Sequence, residues 1–215
     1  EKILLGKMST YKFFLRKSSF KKDKENANIF LNLIAKLQPK NFLEIGVLEG
    51  VTARNVCDLL FDIHKTNFTY IGIDLFGMDL NKNNQSEFTP ISFNYSNPLK
   101  FFLHEIILRK KPNSIEGVSH LLKKYNKSVF LHKGYSHDIL NKIDLSKVDF
   151  CFLDGGHSYE TVKTDLSIIL KNIKKGSSIL IDDYNQPEFG VRKAADEIKK
   201  NYQHEHLGRF LLIHK

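Results

Sequence analysis

Apolar runs of strand length alternate with amphipathic segments of helix length along most of the 215-residue chain. That alternation restricts the fold more than any other feature. "NFLEIG" reads as a short buried strand. It is followed by the helix "GVTARNVCDLLFDIHK", whose Val51, Val56, Leu59, Leu60 and Ile63 form an apolar stripe. "FTYIGIDLF", "SVFLHKG", "VDFCFLDG" and "SSILIDDY" are further strands, separated by the helices "SHDILNKI" and "SYETVKTDLSIILKNIKKG", the latter closed by Gly176. "EFGVRKAADEIKKN" is a last helix, and "YQHEHLG" with "RFLLIHK" forms a closing hairpin through Gly208. Upstream, "ENANIFLNLIAKL" sets Ile29, Leu33, Ile34 and Leu37 at helical spacing before Pro39 stops the helix. The expected architecture is α/β: a doubly wound, mostly parallel seven-stranded sheet with helices on both faces and an antiparallel C-terminal strand.

In such sheets a ligand binds beyond the carboxyl ends of the strands. Those ends read Glu44-Ile45-Gly46, Asp74, Gly134-Tyr135-Ser136, Asp154-Gly155-Gly156-His157 and Asp182-Asp183-Tyr184, and four of the five carry an acid. Gly46 allows a ligand to approach the backbone closely, and Gly50 keeps the next helix tight on the sheet. Their spacing is G-x-x-x-G, not the G-x-G-x-x-G of dinucleotide folds. Glu44 also suits an ammonium or a water network better than a phosphate. Asp74, 24 residues after Gly50, can accept from both hydroxyls of a ribose; the alternative is a turn cap.

Asp154 and Asp182 end strands expected to be neighbours, which lie about 4.8 Å apart. Two carboxylates leaving adjacent strand ends repel, and a divalent cation removes the conflict. All-oxygen ligands point to Mg²⁺, with Mn²⁺ and Ca²⁺ as alternatives. Asp183 is the third candidate ligand, provided that the strand has already ended, because successive strand residues face opposite ways. The other reading is a set of acids that cap loops or bind substrate directly. His157, three residues after Asp154, carries an imidazole, a group suited to proton transfer, and is the candidate base; the alternative is a loop histidine that only orients substrate. His204 and His206, flanking Glu205, are a weak zinc signal.

Between the second and third strands, about 50 residues from Gly77 to Lys127 interrupt the rhythm, too many for an ordinary connection. "GMDLNKNNQSEFTPISFNYSNP" reads as loop, and "LKFFLHEIILRK" and "SIEGVSHLLKKY" as helices. This insertion, 77–127, is the expected substrate lid, and the aromatic residues of "FTPISFNYSNPLKFF" are candidate lining.

The net charge is +9, from 33 Lys and Arg against 24 Asp and Glu. Residues 1–24 hold eight basic side chains and two acidic ones, so +6 of the excess sits in this basic N-terminal arm or helix. The rest of the chain is close to neutral, so net charge says little about the strand-end site. The arm suits either an anionic partner or a packed helix. Two cysteines, Cys57 and Cys151, fall in a helix and a core strand, and are expected to be free buried thiols in a reducing compartment, the cytoplasm. No apolar run reaches the roughly 18–20 residues of a membrane span, and "KILLGKMSTYKFFLRK" is a poor secretory signal.

"LEIGVLEGVTA", "IGIDLF", "VDFCFLDGGHSYETVKTDL" and "GSSILIDDY" together resemble class I S-adenosylmethionine-dependent methyltransferases. The D-G-x-H-x-Y run followed by D-D-Y is similar to the metal-dependent O-methyltransferase branch with catechol-type and macrolide-sugar enzymes. The resemblance spans about residues 28–214 and implies a Rossmann-like methyltransferase fold, with 25–215 as the catalytic domain. It implies that Glu44, Gly46 and Gly50 lie by the amino-acid part of S-adenosylmethionine, Asp74 by the ribose, and Tyr135 and Ser136 by the adenine. Val47, Thr52 and Leu75 flank these positions, and Asp154 belongs to both the cofactor and catalytic sets. Asp154, Asp182 and Asp183 would hold Mg²⁺, and His157 stands where catechol-type relatives often place a lysine. The expected reaction is methyl transfer to a hydroxyl of a sugar, diol or catechol-like small molecule. The rivals are a nucleic-acid methyltransferase, disfavoured because the fourth strand ends in "DGGH" and not in N-P-P-Y or D-P-P-Y, and a non-catalytic nucleotide-binding protein. Monomer and homodimer stay open, with "RFLLIHK" and the N-terminal helices as candidate contacts.

Overall fold

The computed structural model describes Arg16, Phe20, residues 23–77 and residues 97–215. Most of the basic arm, and the polar first part of the insertion with most of its candidate lining aromatics, lie outside the described residues. Seven strands form one sheet: β1 (Asn41–Ile45), β2 (Thr69–Asp74), β3 (Val129–Lys133), β4 (Phe150–Leu153), β5 (Ser178–Ile181), β6 (Gln203–Leu207) and β7 (Phe210–His214). Their order is β3-β2-β1-β4-β5-β7-β6, and β7 alone runs antiparallel to its neighbours. The chain reverses direction across the sheet between β1 and β4, the switch point at which this topology opens a crevice.

Helices cover both faces because the strands are apolar on both. Phe42, Tyr70, Phe150, Phe152, Leu180 and Phe210 face α1 (Lys24–Leu37), α2 (Val51–His64) and α4 (Ile115–Leu121). Leu43, Ile45, Cys151, Leu153, Ile179 and Ile181 face α5 (Ser136–Leu140), α6 (Tyr159–Asn172) and α7 (Val191–Lys199). The first layer is aromatic: the Phe30 and Phe152 ring centres lie 4.6 Å apart, and those of Phe42 and Phe150 5.1 Å apart. Cys57 and Cys151 are both free and buried.

The α1 start is capped by Asp23, whose carboxylate accepts from the Asn26 N–H, and the helix ends at Gln38 in a left-handed conformation before Pro39. Its buried face is Ala27, Phe30, Leu31 and Ile34, while Ile29 and Leu33 are half-buried and Leu37 is exposed. The expected stripe is thus rotated, because Phe30 fills the aromatic layer that the apolar spacing alone does not reveal.

The insertion is less regular than two helices. Asn97 caps a single turn, α3 (Pro98–Phe101), which widens into a π-helical turn over Phe102–Ile107. Leu99, Phe101, Phe102, Ile106 and Ile107 stay exposed. The second half is α4, continued by a 3₁₀ turn at Lys123–Tyr125, and it packs on α2 through Val118 and Leu122. Arg16 is buried here and donates to the carbonyls of Glu49 (2.7 Å), Pro112 (2.8 Å) and Gly117 (3.1 Å). This member of the basic arm ties the insertion to the turn after β1; it is not offered to solvent. Among the described residues, no helix is long and apolar enough to cross a membrane.

Candidate active site

The parallel strands finish in register. Ile45 pairs with both Ile73 and Leu153, and Leu153 pairs with Ile181. Each strand then extends the ladder by one bond: Gly46 N–H to Ile73, Asp154 N–H to Ile45 (both 2.9 Å) and Asp182 N–H to Leu153 (3.0 Å). Gly46, Asp74, Asp154 and Asp182 therefore stand side by side along the carboxyl edge, as the sequence pattern predicts.

Gly46 and Gly50 both take positive φ, +94° and +75°. The space above them is limited by protein. A Cβ on Gly46 would lie 1.9 Å from the Asp154 carbonyl oxygen, and one on Gly50 would meet Val118 at 2.9 Å. The first glycine thus lets β1 and β4 close at their ends, and the second seats α4. Val47 and Thr52 are buried beside them.

Asp74 holds this turn. One carboxylate oxygen accepts the Leu48 N–H at 2.8 Å and the other the Phe76 N–H at 2.6 Å. The turn-capping role is therefore present, and each oxygen keeps lone-pair capacity. Leu75 comes next, half-buried. Tyr135 and Ser136 open α5 beyond β3, next to Asp74, with Tyr135 stacked 5.8 Å from His137.

Glu44 is placed lower than a ligand contact requires. It points into the α1/α2 face, fully buried, and accepts the Tyr70 hydroxyl at 2.5 Å, while its Oε1 has no partner among the described residues. Burial is the main cause that pushes its pKa up to about 8, opposed by the Tyr70 bond. It is therefore protonated at neutral pH. The folded form binds its proton more tightly than the unfolded chain, so Glu44 costs stability as pH rises from about 4.5 toward 8. Glu44→Gln, which mimics the neutral acid, is expected to melt at the wild-type temperature near pH 4.5 and above it at pH 8. The gain at pH 8 is on the order of a few kcal/mol. Equal melting temperatures at both pH values would rule out a buried neutral Glu44.

The richest chemistry lies at β4 and β5. β5 ends at Ile181, and Asp183 adopts φ +54°. The strand has thus stopped before the aspartate pair, which meets the condition for both to face one side. Asp154, His157, Asp182 and Asp183 line one small open cleft. His157 Nε2 lies 3.0 Å from Asp183 Oδ2, its ring packs 4.4 Å from the Phe189 ring, and its carbonyl accepts the Gly190 N–H at 2.9 Å. Asp183 and Phe189 thus hold the imidazole, and Gly190 holds its backbone.

Asp154 accepts no hydrogen bond from any described side chain, and burial, then Asp182 and Asp183, drive its pKa well up. Asp182 is buried; its pKa is pushed up to about 6 by burial, against the pull of Arg209. Its Oδ1 accepts the Asp183 N–H at 2.7 Å, and its Oδ2 is gripped by Arg209. Among the described residues no three His, Cys, Asp or Glu side chains are gathered as metal ligands. Arg209 holds Asp182 and His157 holds Asp183.

Four partners escape the sequence pattern: Tyr70 beneath Glu44, Phe189 against His157, Arg16 behind the β1 turn, and Arg209 on Asp182. One signal for Arg209 exists. An arginine that opens an antiparallel last strand must sit at the carboxyl edge of its parallel neighbours.

The fold is shared with solved methyltransferases. The O-methyltransferase NovP is 16% identical, covering 87% of this chain and 80% of its own, with a TM-score of 0.63. CalS11, the calicheamicin methyltransferase, is 14% identical over 92% and 80%, at 0.61. The O-methyltransferase TomG from Streptomyces achromogenes, solved in complex with SAM, is 15% identical over 93% and 81%, at 0.57. No curated protein matches the chain in sequence. The family described as "Methyltransferase domain" matches residues 43–184, from the middle of β1 to just beyond Asp183, and the chain belongs to that family.

Proposed function

We propose that the protein moves a methyl group from S-adenosylmethionine to a hydroxyl oxygen of a small molecule, a sugar, diol or catechol-like acceptor. The observation that carries this reading is the His157–Asp183 pair, set in one cavity with Asp154 and Asp182. Solved structures of the same fold bind this cofactor or its product: TomG is in complex with SAM, and an O-methyltransferase from Bacillus cereus with SAH.

S-adenosylmethionine supplies a methyl carbon that its sulfonium already makes electrophilic. The chain's task is to align the acceptor and take its proton. The turn Gly46–Gly50, with Val47 and Thr52, would carry the amino-acid end of the cofactor. Asp74 and Leu75 would carry the ribose, and Tyr135 and Ser136 the adenine. Glu44 supports the turn from below through the core. His157, whose Nε2 pairs with Asp183, would take the proton of the acceptor hydroxyl. Asp183 orients the ring and stabilises the imidazolium that forms.

Asp154, Asp182 and Asp183 would hold Mg²⁺ or another hard divalent cation, which would supply Lewis acidity to the acceptor oxygen. Asp183 can serve both partners, because His157 takes one carboxylate oxygen and leaves the other. The insertion 77–127 would roof the acceptor.

Calorimetric titration with S-adenosylhomocysteine, with Mg²⁺ and again with EDTA, tests the reading. Micromolar binding is expected, followed by methylation within a panel of diols, sugars and catechols that fails in EDTA. Absence of binding in both conditions would overturn the cofactor assignment. Full turnover in EDTA would remove the cation and leave the His157 chemistry intact.

A further inference from the structure

One guanidinium joins the two parts of the molecule assigned to cofactor and acceptor. Arg16 is buried. Its Nη1 donates to the Glu49 carbonyl at 2.7 Å and the Pro112 carbonyl at 2.8 Å, and its Nη2 to the Gly117 carbonyl at 3.1 Å. Glu49 lies inside the turn Gly46–Gly50, proposed to carry the amino-acid end of the cofactor. Pro112 and Gly117 belong to the insertion, proposed to roof the acceptor. A guanidinium is planar and fixes the direction of each donor, so the three carbonyls are held in one relative position.

Both sides are shaped to meet it. The turn is gripped from its other side by Asp74, which accepts the Leu48 N–H at 2.8 Å, so Leu48 and Glu49 are clamped between a carboxylate and a guanidinium. On the insertion side, a Cβ on Gly117 would lie 2.1 Å from the Lys111 carbonyl oxygen. The missing side chain lets the segment before α4 fold down on that helix, which brings the Pro112 and Gly117 carbonyls to one side chain. Val118, the next residue, is the one that meets Gly50. The π-helical turn stands close as well: burial, and then the charge of Arg16, lower the pKa of His104 within it.

We propose that Arg16 is a positioning residue that couples cofactor binding to the order of the insertion. Cofactor in the turn fixes the Glu49 carbonyl. The guanidinium passes that constraint to Pro112 and Gly117, so the wall over the acceptor becomes ordered once the cofactor is in place. By linkage, an ordered insertion holds the cofactor more tightly in return. This inference rests on the cofactor and lid assignments proposed above.

The test is amide hydrogen exchange, read by mass spectrometry over residues 97–125, with and without saturating S-adenosylhomocysteine. It is run on wild type, Arg16→Met and Arg16→Lys, and calorimetry establishes occupancy for each. In wild type the ligand is expected to slow exchange over 97–125 by about fivefold or more, the lower end of a coupling between two sites. Arg16→Met is expected to bind S-adenosylhomocysteine more weakly and, at saturation, to lose that slowing. Arg16→Lys, whose ammonium lacks the fork, is expected to fall between the two. A merely structural tie would speed exchange with and without ligand alike and leave the ratio unchanged, so an unchanged ratio in Arg16→Met overturns the proposal. Wild type that binds the ligand with no slowing over 97–125 overturns the coupling and leaves the cofactor assignment standing. Wild type that does not bind it removes both. Should Arg16→Met fail to fold, Arg16→Lys decides, and slowing equal to wild type in that variant overturns the proposal.

Discussion

His157→Ala is expected to lower methyl transfer by about 10²–10⁴-fold, the usual contribution of a positioned general base, while leaving S-adenosylhomocysteine affinity within about threefold of wild type. Both expectations come from where the ring sits. It lines the cavity with Asp154 and Asp182, beyond β4, whereas the turn assigned to the cofactor lies after β1. Loss of the imidazole removes the proton acceptor and frees Asp183, but leaves Gly46 to Gly50 and Asp74 untouched. Single-turnover rates with saturating cofactor separate the two effects. A variant within fivefold of wild type in rate would show that His157 only orients substrate or fills space against Phe189. Asp183→Asn refines the same point: the amide lets the ring settle in the wrong tautomer, so the rate is expected to fall even though the imidazole is retained.

The strand ends are legible in the sequence because a parallel sheet obeys a simple rule. Runs such as "VDFCFLDG" must stop where the apolar residues stop, and the residues just beyond face the crevice. Asp74, Asp154, Asp182 and His157 all sit where that rule puts them. The hairpin through Gly208 is legible for a similar reason, since Gly208 takes φ +59° between β6 and β7. Sequence alone does not supply which long-range side chain meets which. Tyr70 reaches Glu44 because β1 and β2 pair with Phe42 opposite Tyr70, which puts Tyr70 one step diagonal from Glu44 on the same face. Arg209 reaches Asp182 only because β7 inserts between β5 and β6. Either contact would vanish with a shift of one residue in register, and no local pattern encodes that register. Glu44 is the instructive case. Its type and position suggest a ligand contact, yet strand alternation sends it into the aromatic layer, against the Tyr70 hydroxyl.

Gly46→Ala is expected to melt roughly 10 °C below wild type, from a loss of about 3 kcal/mol or more. Two costs combine. The left-handed backbone at φ +94° disfavours any side chain. The added methyl would also sit 1.9 Å from the Asp154 carbonyl oxygen and 2.5 Å from its carbon. Both atoms are backbone, so no rotamer change relieves the contact; β4 must move away from β1 at its end. Gly176→Ala separates the two costs. Gly176 has φ +82°, and a Cβ there meets nothing within 4 Å, so that variant carries the conformational cost alone, about 1–2 kcal/mol. The difference between the two melting temperatures is then the steric cost of parting β1 from β4. Because Asp154 is the residue displaced, Gly46→Ala should weaken S-adenosylhomocysteine binding as well, whereas Gly176→Ala should leave it unchanged. If the two variants melt together, the close approach of the β1 turn to Asp154 is wrong, and with it the placement of the cofactor turn beside the carboxylate row.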